Sequence, residues 1–238
     1  MKHKINLVII LLLLWQLLAM VVNKDVIIPY PFDVIKRMLE MLGDPSFYQT
    51  ILITLSHVGI VVFISVVIAY FLSYLGYKYQ MVDQYISPLL SILQAIPNIS
   101  FIIIVMVWCE SLQTVYIVLF LVVFPLLYNN LIQGFKSIDQ DLIDVIRSYR
   151  LPFFYKFFTI YFPLVKRSLL SALKSSLSLG VKVAVMAEII AQLPQGVGRA
   201  INFSRIQFDM VGVFAWTLWL IVMILVIEGL LRRFIHDE

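Results

Sequence analysis

Apolar positions along this chain gather in long blocks, and polar positions collect between them. Nothing in the pattern resembles the strict alternation of half-buried strands. A helix that crosses a bilayer needs about 17 to 25 mostly apolar residues. Six blocks are near that length: 5–22, 51–75, 86–108, 115–131, 169–191 and 211–231. Lys2 and Lys4 precede the first block, so a signal peptide is one reading of it. No small-x-small cleavage pattern follows before Val21, Val22 and Asn23, and a retained helix is expected. Pro88 and Pro97 fall in the third block and predict breaks in its helix ladder. Such breaks are tolerated where neighbours or cavity water satisfy the freed carbonyls. Lys174, Lys182 and Glu188 interrupt the fifth block.

Two stretches between the blocks carry a helical period of their own. Pro29 and Pro31 precede Phe32, Val34, Ile35, Met38, Leu39 and Leu42. This predicts a short amphipathic helix lying on the outer surface as a cap over the helix ends. The longer stretch, 132–168, opens with Asp139, Asp141 and Asp144, which suit a helix N-terminus. Ile138, Leu142, Val145, Ile146 and Tyr149 then recur at helical spacing. Pro152 disfavours helix at Leu151. Phe153, Phe154, Phe157 and Phe158 resume the period, and Pro163 is expected to end it. Two short helices meeting at a turn near 150–152 are predicted.

Composition settles the class. Hydrophobic residues make up 62% of the 238 and charged residues 13%, against about 45–50% and 25% in soluble domains. The chain is therefore expected to be all-α and polytopic, a single domain over 1–238 with about six transmembrane helices. Within it, 1–25 is the N-terminal helix and 26–49 the outer amphipathic segment. Residues 50–234 form the core helices and include the segment 138–163. The lone Cys109 excludes an internal disulfide or a multi-cysteine zinc site, and His3, His57 and His236 lie far apart.

Charge placement then orients the helices. With both termini on one side, the segments on that side carry eleven basic residues, among them Lys78, Lys136, Arg147, Arg150, Lys156, Lys166 and Arg167. The opposite segments carry five: Lys24, Lys36, Arg37, Arg199 and Arg205. The positive-inside bias places both termini, and the stretch 132–168, in the cytoplasm. An aromatic and basic belt at headgroup level would share that composition. A docking knob would need the two turn-linked helices as well.

Candidate chemistry is sparse. The acids within spans are Glu188 and, at one end, Glu228, on different spans, and His57 has no acid near it in sequence. No GxxxxGK[ST] loop is present, so the chain has no such site for ATP. No catalytic role is expected. A secondary transporter or a channel-like protein is the alternative transport reading. Secondary transporters often show internal repeats, and none is evident between 1–119 and 120–238. Small and polar residues on the fifth block, with Lys182 near its middle, mark a candidate pathway: Ser178, Lys182 and Glu188, joined by Gln94 and Asn98 beside Pro97. Charged residues within spans usually face a protein interior or a wet cavity.

The stretch DVIRSYRLPFFYKFFTIYFP (144–163) resembles the cytoplasmic coupling motif of binding-protein-dependent ABC transporter permeases. That motif reads Glu-Ala-Ala, three residues, Gly, nine residues, Ile-x-Leu-Pro. Asp144 takes the Glu position, with Val145 and Ile146 in place of the two Ala. Ile160 matches the Ile, Phe162 takes the Leu position, and Pro163 closes the motif. Arg150 stands where the family has a turn glycine. IPYPFDVIKRMLE (28–40), YISPLLSILQAIPNISFIIIVMVW (85–108) and VMAEIIAQLPQGVGRAINFSRIQFD (185–209) are similar to segments of the nitrate, sulfonate and taurine branch.

The resemblance implies the type I ABC importer permease fold in a bacterial or archaeal cytoplasmic membrane. It implies a second permease copy, usually the same chain, a cytoplasmic ABC ATPase dimer that binds the ATP and Mg, and an extracytoplasmic substrate-binding protein. Membrane lipids surround such a chain, which itself carries no cofactor and meets no nucleic acid. Asp144, Ile146, Arg147, Tyr149, Arg150, Phe153, Phe154 and Pro163 are the implied ATPase-coupling residues. A small polar or anionic solute is the implied cargo.

Overall fold

The computed structural model describes the backbone of residues 2–149 and 151–236, and the side chains of all of these except 2–5, 8, 147 and 232–236. Every regular element among them is helical. In order they are α1 (Lys2–Val22), α2 (Pro31–Met41), α3 (Pro45–Lys78), α4 (Gln80–Ala95), α5 (Asn98–Met106), α6 (Ser111–Lys136), α7 (Gln140–Ser148) and α8 (Phe153–Tyr155). A π-helical turn (Lys156–Tyr161) joins α8 to α9 (Phe162–Ile190), and α10 (Val197–Ile206) and α11 (Met210–His236) follow.

Local chemistry sets the starts of these helices. Pro45 begins α3, where its missing N–H costs nothing, and the Asp44 carboxylate accepts from Ser46 N at 2.8 Å. The Ser46 hydroxyl and N–H hold the Asp44 carboxyl below the usual carboxylate range. A reciprocal cap between Glu110 and Gln113 opens α6. Asp139 caps α7 by accepting from Asp141 N at 3.0 Å.

Among the described residues four helices are long and apolar enough to cross a membrane: α3, α6, the continuous helix Phe153–Ile190, and α11 as far as Leu231. The pair α4 and α5, bent by 93° at Ile96 and Pro97, is apolar enough together to form a broken fifth span or a re-entrant loop. Both residues take extended ψ there, as expected for a proline and the residue before it. The apolar run of α1 among described side chains is the shorter Ile9–Val22. The six expected blocks therefore become four straight crossings, one broken pair and a short apolar helix.

Two sequence expectations need correction. Pro88 does not break its helix, because α4 runs through it from Gln80 to Ala95. Nor does Pro163 end the aromatic run, because Phe153–Ile190 is one helix. The wide π turn ends at Tyr161, two residues before Pro163, and takes up the crowding that the proline ring would cause in a tight α-helix.

The core lies between α3, α6 and α9. Its buried positions are mostly small or β-branched: Val58, Val62 and Ala69 on α3, Val118 and Val123 on α6, Ala172, Val181 and Ala184 on α9. In lipid, apolar surface gains little by burial, so close packing of small side chains is what holds helices together. α2, α10 and the start of α11 gather at the end of the bundle opposite α7. There Trp219 donates its indole N–H to the Met38 carbonyl of α2 at 3.3 Å. At the same end Trp15 of α1 stacks on Phe214 and donates to the Pro29 carbonyl.

Candidate functional site

At one end of the bundle the chain leaves α6, forms α7, turns, and re-enters through α8 and the π turn. Ile143 and Ile146 are buried on the inner face of α7, while Val145 and Tyr149 are exposed. Beyond the turn Phe153 and Phe154 are exposed, and Phe157 and Tyr161 point inward and are buried. Asp144 is exposed on α7, and Pro163 is exposed in the first turn of α9. The expected surface is thus assembled from α7 and the helix after it. Arg150 and the side chain of Arg147 lie outside the described residues.

This elbow is held by aromatic rings from three helices. Phe157 contacts Tyr70 and Tyr74 of α3 at centroid separations of 4.7 and 5.0 Å. Tyr161 meets Tyr74 at 5.2 Å, and Phe135 of α6 stacks on Tyr77 at 5.6 Å. Edge-to-face pairs of this kind add about 0.5–1.5 kcal/mol each beyond burial. The Tyr70 hydroxyl donates to the Phe157 carbonyl at 2.7 Å, an acceptor inside the π turn. Close by, Asp83 ties α4 to α6, accepting from Ser87 at 2.6 Å, Tyr128 at 3.0 Å and Lys136 at 2.7 Å. The elbow is therefore packed against α3 and α6.

At the opposite end, Glu188 near the C-terminus of α9 has no exposed surface. Thr54 of α3 donates its hydroxyl to both carboxyl oxygens, at 2.9 and 3.0 Å. Gly198 donates its N–H at 2.8 Å, so the N-terminus of α10 points at the acid. His57 Nδ1 lies 3.1 Å from the same group. Val197 N in turn donates to the Thr54 hydroxyl at 2.8 Å. The reversal between α9 and α10 wraps tightly round this carboxyl. A Cβ on Gly196 would lie 2.7 Å from Glu188 Oε2, and φ there is +105°.

The other pathway candidates lie on an open stripe. Ser171, Ser175, Ser178 and Lys182 share one face of α9, and that face is partly or fully exposed. Lys182 and Glu188 are six residues apart, about 240° round a helix, so the lysine is open while the acid is buried. Among the described residues Lys182 has no ion-pair partner. Gln94 is exposed near the end of α4 and accepts from Asn129 of α6 at 3.4 Å. Asn98 begins α5, which packs against α9.

Residues 65–236 match the family of binding-protein-dependent transport system inner membrane components. The chain belongs to this family. A Methanocaldococcus jannaschii protein named as an ABC transporter permease is 24% identical over 207 residues, covering 84% of this chain and 77% of that one. In an inward-facing crystal form of the MetNI methionine ABC transporter, one chain shares the fold with a TM-score of 0.71 at 16% identity. It covers 80% of this permease and 94% of its own length. A second crystal form of that transporter gives a TM-score of 0.67 at 15% identity, over 84% and 97% of the two chains. The fold is thus that of type I ABC importer permeases. The permease component is the membrane-embedded part of such an importer, and the secondary-transporter alternative falls.

Sequence reasoning missed several residues that build these two ends of the permease. Tyr70 and Tyr74 look like ordinary apolar span residues in sequence, and Tyr77 and Phe135 lie just beyond the ends of their apolar blocks. Thr54 and His57 are separated from Glu188 by 134 and 131 positions. A signal did exist for His57: a titratable ring within a span implies a polar partner.

Proposed function

We propose that this permease pairs with a second copy of itself to form the pathway of an ATP-driven importer, both termini lying in the cytoplasm. Its α7 and the helix after it seat in a groove of a cytoplasmic ABC ATPase. The observation that carries this reading is the elbow: an exposed helix, in a family-spaced motif, fixed by aromatic packing to α3 and α6. Closure of the ATPase pair on ATP moves the two elbows and biases a two-state helix assembly. An extracytoplasmic binding protein delivers the solute to the α2 and α10 end. The exposed stripe with Ser178 and Lys182 lines the pathway, beside Gln94 and Asn98. Glu188 closes the loop above it. The unpaired ammonium favours an anionic solute of the nitrate, sulfonate or taurine kind.

Purification from the native membrane tests the coupling. The chain is expected to bring down an ATPase subunit, and reconstituted complex is expected to hydrolyse ATP faster with the loaded binding protein. Absence of any ATPase chain under mild conditions overturns the reading. Arg150→Gly is expected to weaken that association or the coupled hydrolysis, because it removes a cation from the motif's turn. Unchanged values would reduce Arg150 to a surface variant.

A further inference from the structure

We propose that the elbow holds one anionic phospholipid, its phosphate beside Lys78 and Lys156 and an acyl chain in the aromatic groove on the other side of Phe153. The proposal needs only this chain in a bilayer, so it goes beyond the coupling reading and does not rest on it.

Two cavities carry it. The first, of about 500 Å³, lies between the end of α3, α7 and the π turn. Lys78, Lys156, Gln80 and Gln140 line it, and no acid among the described residues does. Among the described residues neither lysine has an ion-pair partner, whereas nearby Lys136 is held by Asp83 at 2.7 Å. The Lys78 ammonium instead lies over the rings of Tyr79 at 5.1 Å and Phe153 at 5.7 Å. Lys156 is half-buried. A partly desolvated cation such as Lys156 is costly without a counter-charge, and an anion held between it and the exposed Lys78 removes that cost.

The second cavity is a groove of about 590 Å³ between α3 and the elbow, with almost entirely apolar walls. Val67, Phe71, Phe154, Phe158 and Leu169 line it. Val67 and Phe71 are exposed side chains of α3, a helix long and apolar enough to cross a membrane. Phe153 is part of both walls. A cationic cavity and an apolar groove meeting at one side chain match an amphiphile with one negative headgroup. A free phosphate would leave the groove unused, and an uncharged lipid would leave the lysines unpaired.

Native mass spectrometry of the purified full chain in neutral detergent tests this. The probes are phosphatidylglycerol and phosphatidylcholine with the same acyl chains, and inorganic phosphate. Phosphatidylglycerol is expected to be retained over phosphatidylcholine by about tenfold or more, given two lysines at the headgroup. Lys78→Gln with Lys156→Gln is expected to bring that ratio to about twofold or less. Lys24→Gln with Lys36→Gln removes the same charge at the other end of the chain and is expected to leave the ratio unchanged. Phe154→Ala with Phe158→Ala is expected to weaken both lipids while keeping the headgroup preference. Equal retention of the two lipids by the unaltered protein overturns the proposal. So does a preference that survives loss of both lysines. Displacement of the lipid by inorganic phosphate at equal concentration would make the site one for a free anion and would also overturn it. Loss of ATPase co-purification in the double-lysine variant with an intact lipid preference would assign the lysines to a protein contact, with the same result.

Discussion

Glu188 shows how one residue can set a fold from within. A buried carboxyl is costly unless its oxygens are hydrogen-bonded, and here Thr54 and the Gly198 N–H supply the bonds. Glu188→Ala leaves those donors without an acceptor and is expected to cost about 1–3 kcal/mol. Glu188→Gln keeps an acceptor oxygen and is expected to cost less. Thermal unfolding in detergent orders the three proteins, and equal midpoints for the two variants would contradict this account. A Cβ at Gly198 would collide with Glu188 Cβ and lie 2.7 Å from the Val185 carbonyl. Backbone cannot yield as a side chain does, so Gly198→Ala is expected to lose about 1–3 kcal/mol through overpacking. Lys182 belongs to a different question. Lys182→Met is expected to lower uptake of an anionic solute while leaving folding intact, and unchanged uptake and preference would remove the lysine from the pathway.

At the scale of elements, the π turn is the informative irregularity. Residues 153–163 carry a helical period, and that period continues into the span after Pro163 without a separate second helix. A π turn shifts the register of the side chains after it and frees a carbonyl. Tyr70 takes up the Phe157 carbonyl at 2.7 Å. Tyr70→Phe keeps the ring packing and removes only that bond, an expected cost of about 0.5–1.5 kcal/mol. Amide exchange is expected to quicken around the π turn in this variant. In the assembled complex, ATP hydrolysis is expected to respond less to the loaded binding protein. Exchange that is unchanged there would show the bond to be idle. The bend between α4 and α5 follows from Pro97, whose position was readable, whereas its angle of 93° was not.

At the scale of the molecule, orientation is the testable matter. The bias of basic residues is the ground on which we propose that α7 lies in the cytoplasm. Val145 is exposed on α7 and Cys109 is the lone cysteine. A Cys109→Ser, Val145→Cys protein in sealed right-side-out vesicles is expected to resist a membrane-impermeant thiol reagent and to react once the vesicles are opened. Reaction before opening would reverse the topology. The family match begins at residue 65 and runs to 236, leaving α1, α2 and the first half of α3 outside it. Of the described residues in that part, α2 still packs on α11, so it is joined to the matched region by contact.

The sequence by itself determined the class and the rough limits of the apolar blocks, and its charge placement supplied the expectation of which side they face. Those properties depend on mean apolarity, block length and charge placement, which are additive along the chain. It also marked the motif-bearing stretch 144–163, because a motif is a local spacing. Tertiary structure alone decided which polar residues meet. Thr54 and His57 reach Glu188 only because α3 and α9 pack side by side, and Tyr70 reaches Phe157 for the same reason. It also decided that Pro163 lies within a helix, since the cost of a proline depends on the turn before it and on who receives the freed carbonyl. Contacts of this kind join residues more than eighty positions apart, and no periodicity in one helix records what its neighbour presents.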